Sequence, residues 1–213
     1  LAEPVIRRNK DGLVSIEAFD DGLEIFYAMD GTVPSRTSTK YKGPFIHKNK
    51  LDISALAYDH LAGKSSAVSI RQFDICKTRW QIVQPDPQIY PDVEKIIDEN
   101  ETTIWSSDRK AGLPTEIVID LGEQLDIAGF TYLPPQGRWI GGTIVQYEVY
   151  ISSNSKNWGA PVSMGEFSNI KNNPVLQSIH FNPVKGQFMR FKALKDINNE
   201  GFATIAELGI ITN

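Results

Sequence analysis

Short apolar runs broken by turn residues recur along the whole chain, and no long stretch keeps a helical period; this is the pattern of an all-β protein. In the first part, residues 14–19, 23–29, 51–58 and 67–75 read as strands. The run from Leu51 alternates apolar and polar positions, which places Leu51, Ile53 and Ala55 on one face. Between strands, Asp30-Gly31 supplies a positive-φ turn and Pro34 stops pairing. A second series opens with a strand over residues 77–83, and Pro85, Pro87 and Pro91 then break the chain repeatedly. The spacing predicts about two turns of helix over residues 90–97 with Asp92 as N-cap. Strands follow at 115–121, 125–133, 143–152, 175–181, 187–194 and 204–212. Two β domains result, residues 1–76 and residues 77–213, and the strand count of the second suits a jelly roll.

Composition narrows the partners. The 213 residues are 41% hydrophobic and 23% charged, with a formal net charge of -4. No basic stripe exists to replace counterions, which argues against nucleic acid or an anionic membrane surface and favours a polar or neutral ligand. Inserting into a membrane would need an apolar run of about 20 residues, and none is present. Cys76 is the single cysteine, so no intrachain disulfide forms; it reads as a small buried hydrophobe. The chain opens on Leu1 without a charged-then-apolar signal, and is expected to be an internal or C-terminal piece of a longer protein. His47, His60 and His180 are scattered and no nucleophile motif accompanies them, so this stretch is expected to be noncatalytic.

One stretch concentrates chemistry. From Ile97 to Trp105, carboxylate, amide and hydroxyl oxygens crowd a turn that ends on an apolar strand with a large aromatic, the donor set that a hard cation such as calcium takes. Ala206-Glu207-Leu208 places another carboxylate in an apolar run far downstream. If the two meet, a metal would pin a loop to the last strand; the alternative is an ordinary polar turn with Asp98 in water.

The first part resembles the small β-sandwich that follows the catalytic domain of β-hexosaminidases (chitobiases) and some bacterial α-L-fucosidases. The resemblance is carried by Pro4-Val5-Ile6, Tyr27, Asp30-Gly31-Thr32-x-Pro34, Ser38, Tyr41, Pro44-Phe45, Ala55 and Ala57, with Ala28 where the family usually has threonine. It implies an immunoglobulin-like spacer. The second part resembles the discoidin, or coagulation factor type C, domain as used in family 32 carbohydrate-binding modules. Its matching residues include Asp98-x-Asn100-x-x-Thr103-x-Trp105, Ile119-Asp120-Leu121-Gly122, Tyr132-x-Pro134-x-Gln136, Tyr147-x-Val149-Tyr150-x-Ser152, Arg190-Phe191 and Ala206-Glu207-Leu208.

That resemblance implies a structural calcium. Asp98 and Glu207 would give carboxylates, Thr103 its hydroxyl and carbonyl, and Ile97, Asn100 and Ala206 mainly carbonyls, approaching the about six to eight oxygens calcium prefers. Glu99 stands where the family favours glycine. For sugar, galactose-binding relatives carry a histidine after the tryptophan and an arginine between the later proline and glutamine; here Ser106 and Pro135 occupy those places. Substitutes lie in the same loops: Arg109 and Arg138, with Lys110 beside them, could donate to hydroxyls, and Trp139 could stack on a pyranose. Alternatively Trp139 packs on a neighbouring domain. Trp80, Trp105 and Trp158 read as core. Taken together, the resemblance implies a noncatalytic accessory region of a secreted, periplasmic or extracellular glycosidase, an α-L-fucosidase before a β-hexosaminidase. It would lie beside an upstream catalytic domain, with a jelly roll that binds glycan weakly. The alternative is two structural domains that brace the catalytic one.

Overall fold

The computed structural model describes the backbone of residues 1–213 and every side chain except that of Pro91. Its contacts divide the chain into two compact units, Leu1–Thr78 and Arg79–Asn213.

In the first unit, β1 (Val5–Arg8), β2 (Leu13–Glu17) and β5 (Phe45–Ile46) form one antiparallel sheet. The second sheet joins β3 (Glu24–Ala28), β4 (Thr39–Lys40), β6 (Leu51–Asp59), β7 (Lys64–Ser65) and β8 (Ser69–Phe73) around the central β6. Ile6, Val14 and Ile16 from the first sheet meet Leu51, Ile53 and Ala55 from the second, so the predicted face of β6 is the one in the sandwich core. The other face of β6 is also covered, because Leu56 and Tyr58 pack with Phe26. The motif residues have structural uses. Tyr27 stacks on Phe45 at 5.4 Å, the Tyr41 hydroxyl accepts from the Ile16 N–H at 3.2 Å, and the Asp30 carboxylate accepts from the Thr32 N–H at 3.0 Å across Gly31, which has φ 77°. Cys76 is only half-buried and lies 3.1 Å from the Thr78 hydroxyl, so it is less enclosed than expected.

The second unit is built on a large antiparallel sheet of β9 (Gln81–Gln84), β11 (Thr115–Leu133), β12 (Ile144–Ser152), β13 (Ser163–Glu166), β14 (Gln177–Asp196) and β16 (Glu207–Thr212). A two-stranded piece, β10 (Trp105–Ser106) with β15 (Thr204–Ile205), pairs separately. Tyr132, Tyr147, Phe167 and Phe191 stack, and Phe130 meets Tyr147 edge-on, with centroids 4.4 to 6.4 Å apart, filling the jelly-roll core.

Two expected breaks are bulges. Residues 115–121 and 125–133 belong to the single strand β11, and residues 175–181 and 187–194 fall mostly in the single strand β14, with a register shift between Asp120 and Leu125. The Asp120 carboxylate accepts from the Gly122 N–H at 2.8 Å and from Gln187 across the pair at 2.9 Å, so the turn-forming residues bend the ladder without ending it. The predicted helix is a 3₁₀ segment, Pro91–Ile97, whose N-cap is Tyr90; Asp92 lies inside it and pairs with Lys95 at 2.8 Å. Trp80 and Trp105 are buried as expected, whereas Trp158 is half-buried beneath the Arg190 guanidinium, 4.8 Å from its ring. No helix among the described residues is long and apolar enough to cross a membrane.

Candidate functional site

The oxygen-rich turn follows directly from the 3₁₀ segment. Val93, Ile96 and Ile97 are buried, which anchors its C-terminal end and presents Asp98 at the start of the loop. The Asp98 carboxylate accepts from the Asn100 N–H at 2.8 Å and from the Thr103 hydroxyl at 2.8 Å. That hydroxyl also lies 2.9 Å from the Asn100 carbonyl. From β16, the Glu207 carboxylate reaches the Glu99 N–H at 3.1 Å, so the two distant stretches do meet. Glu99 itself has φ 63°. This is the left-handed conformation glycine takes without strain, and a glutamate there stores about 1 kcal/mol.

Every donor gathered here is oxygen, which fits a hard cation. Among the described residues no three His, Cys, Asp or Glu side chains cluster; the turn brings together the carboxylates of Asp98 and Glu207, with hydroxyl and carbonyl oxygen beside them. Ile97 and Ala206 are fully buried and have only their backbone to offer.

A second set of loops converges at the end of the sandwich where β10 and β15 pair. The Ser107 hydroxyl accepts from the Ala203 N–H at 2.9 Å, while the Ser107 N–H donates to the Ala203 carbonyl at 2.9 Å. Tyr132, deep in the core, ties in the third chain segment: its hydroxyl donates to the Thr204 carbonyl at 2.9 Å and accepts from the Ile144 N–H at 3.1 Å. Burial pushes the pKa of that phenol far up, so it stays neutral. Thr204 also donates from its N–H to the Gly142 carbonyl at 2.8 Å and from its hydroxyl to the Gly141 carbonyl at 2.9 Å, so the segments 106–110, 136–142 and 196–203 meet at one tip.

The aromatic at its centre is Phe202, 2% exposed. The Arg109 guanidinium lies over its ring at 3.8 Å. A Cβ at Gly142 would stand 2.5 Å from a ring carbon, so the backbone at Gly142 abuts Phe202 directly. The loop from Asp196 to Gly201 is folded by one buried carboxylate, since Asp196 accepts from the N–H groups of Asn198 (2.9 Å), Glu200 (3.0 Å) and Gly201 (2.9 Å). Burial works against its charge, but these N–H groups outweigh that and hold its pKa below the ordinary aspartate range.

The candidate sugar residues divide. Arg109 is fixed on Phe202. Trp139 is 85% exposed, and the single residue between it and Gly141, Ile140, holds it within about 7 Å of that position. Arg138 is exposed beside it. Lys110 is exposed, with its N–H on the Asp108 carboxylate at 2.9 Å. Ser106 is exposed on β10, its hydroxyl directed to the Ser107 carbonyl at 3.3 Å. Pro135 is buried and, having neither an N–H nor a polar side chain, offers no donor where galactose-binding relatives have arginine. Gln136 is engaged as well, donating to the Pro134 and Pro174 carbonyls, both at 2.8 Å. Phe202 and Asp196 escaped the sequence reading, because an aromatic before a strand reads as core and a lone aspartate after one reads as a turn.

Comparison with known proteins places these features. The F5/8 type C domain matches residues 83–208, and the Fn3 associated domain matches residues 14–73. A galactose oxidase of Gibberella zeae is 27% identical over 150 residues, 64% of this chain and 20% of that protein, so the chain spans about one fifth of that curated relative. Among solved structures, a family 32 carbohydrate-binding module from a family 31 glycoside hydrolase of Clostridium perfringens superposes with TM-score 0.55 at 27% identity, covering 64% of this chain and 93% of the module. The Clostridium perfringens module CpGH89CBM32-5, in complex with GalNAc-β-1,3-galactose, gives TM-score 0.53 at 28% identity, covering 62% and 94%. Such modules are noncatalytic. With the match spanning the jelly roll, the Asp98 turn and the Phe202 tip, and more than half of the residues, this chain belongs to the F5/8 type C, or discoidin, domain family.

Proposed function

We propose that the second unit binds glycan through its tip loops, as an accessory module of a secreted glycoside hydrolase, with Trp139 as the stacking platform and Arg109 and Arg138 as donors. The observation that carries the reading is the exposed Trp139 two positions before Gly141, in the loop that packs against Phe202, whose ring already holds the Arg109 guanidinium at 3.8 Å. Placing Arg109 in advance lowers the ordering cost of binding, and an indole suits the apolar face of a pyranose. Affinity is weak, in the millimolar range, because the histidine and arginine of galactose-binding relatives are replaced by Ser106 and the buried Pro135. Such binding still helps a tethered enzyme by raising its effective concentration at a glycan surface. Among parent enzymes we favour an α-L-fucosidase, on the resemblance of the first unit, over a β-hexosaminidase. Titrating the chain with galactosides, fucosides and N-acetylhexosamines tests the reading: saturable millimolar binding is expected, and none with any of them sinks it. That the same two replacements remove polar contacts favours a second reading, in which both units brace the parent enzyme.

Calcium is the cofactor we propose for the Asp98 turn, held by Asp98, Thr103 and Glu207 with carbonyls of Ile97, Asn100 and Ala206. It would tie the loop to β16 in place of the hydrogen bonds now running there. At calcium about 100 times its Kd the gain is about 2.7 kcal/mol, so chelation should lower the melting midpoint by about 5–10 °C. Asp98→Ala should melt like the chelated protein and ignore chelator. An unchanged midpoint on chelation would count against the ion.

A further inference from the structure

We infer that Glu200 is the hydrogen-bond acceptor of the tip, and that it makes the site a reader of uncharged, hydroxyl-rich sugar in preference to acidic sugar. The inference rests on the glycan-binding reading above. Glu200 is exposed, at the end of the loop that Asp196 folds. A Cβ at Gly141 would stand 3.1 Å from its Oε2 and 3.5 Å from the Phe202 ring. Carboxylate and ring therefore approach the same backbone position, and Arg109 covers that ring at 3.8 Å.

The charges at the tip have an unusual relation. Residues 106–110, 136–142 and 196–203 carry Arg109, Lys110 and Arg138 against Asp108, Asp196 and Glu200, so opposite signs are equal in number and no net field draws a charged ligand. Asp108 and Asp196 are engaged by backbone N–H groups. Neither the Glu200 carboxylate nor any of the three cations forms an ion pair among the described residues. Donors and an acceptor thus share one tip without satisfying each other. A sugar hydroxyl both donates and accepts, so one sugar can offer lone pairs to Arg109 and an O–H to Glu200. A uronic acid would gain at the guanidinium but be repelled by Glu200, and an amino sugar would meet the reverse.

The test compares neutral sugars (galactose, fucose, N-acetylgalactosamine, N-acetylglucosamine) with galacturonate and glucuronate, by calorimetric or NMR titration of the whole chain at millimolar concentration. At least one neutral sugar should bind more tightly than either acid. Glu200→Ala should weaken that sugar by about 10- to 100-fold, the range for losing a hydrogen bond to a charged group. Glu200→Gln should recover part of the loss, and both variants should bind the acids better than the parent chain does. Glu200 is exposed, so both should melt with the parent. If the neutral sugar binds Glu200→Ala as well as the parent, or the acids bind the parent more tightly than the neutral sugars, the role of Glu200 is wrong while glycan binding stands. If no sugar binds the parent chain, both readings fall.

Discussion

Gly142→Ala should destabilise the second unit by about 3 kcal/mol and abolish ligand binding at the tip, because two costs coincide there. Gly142 has φ 74°, a conformation that costs an alanine about 1 kcal/mol. Its new Cβ would also lie 2.5 Å and 2.7 Å from two Phe202 ring carbons and 2.9 Å from the Thr204 Cγ2. Phe202 is 2% exposed and cannot swing away freely, so this overpacking adds about 1–3 kcal/mol. Displacing the ring also displaces the Arg109 guanidinium that rests on it. Gly201→Ala is the control: its φ of 78° carries the same backbone cost, but nothing lies within 4 Å of its Cβ. The difference between the two midpoints in denaturant isolates the packing component. Equal midpoints would show that Phe202 is not held as described.

Asp196→Ala should cost a similar amount, about 3 kcal/mol. The variant leaves the N–H groups of Asn198, Glu200 and Gly201 without the charged acceptor that folds their loop. For a unit of this size the midpoint should fall by about 10 °C. Asp196→Asn, which keeps one acceptor oxygen, should lose less. The sign of the pH dependence follows from the lowered pKa of Asp196. Its stabilisation is complete above the pKa of an unfolded aspartate and is lost as pH falls through the lower folded value, so the gap between parent and Asp196→Asn should shrink in acid. A gap that stays constant down to pH 2 would mean the carboxylate charge contributes nothing. Because this loop also carries Glu200 and leads into Phe202, Asp196→Ala should weaken sugar binding through misplacement, an effect visible in affinity even where the unit remains folded.

The Asp98 turn and the Phe202 tip are unequally legible in the sequence. Oxygen-bearing residues packed from Asp98 to Thr103 announce their chemistry by composition, and the apolar run around Glu207 marks its carboxylate as unusual. Whether the two meet is open in the sequence, and the contact from Glu207 to the Glu99 N–H answers it. The mismatch at Glu99 was also visible, and the structure gives its physical content as a left-handed backbone on a non-glycine residue. Strand limits were less legible, since Asp120-Leu121-Gly122 has turn chemistry that serves equally for a stop or a bulge; only the pairing of β11 with β14 decides between them. The tip was hardest. Arg109 and Trp139 could be suspected as exposed polar and aromatic groups in loops, but Phe202 joins them through contacts between segments about 60 and 90 residues apart, which no local pattern encodes.

The central claim, that the tip of the second unit binds glycan at Trp139, is tested most directly by following the Trp139 indole N–H in an NMR titration with neutral sugars. We predict a saturable shift of that resonance at millimolar sugar, small changes at Trp80 and Trp105 in the core, and loss of binding in Trp139→Ala without loss of fold. A Trp139 resonance that does not move while another part of the surface responds, or a Trp139→Ala variant that binds as tightly as the parent chain, would contradict it.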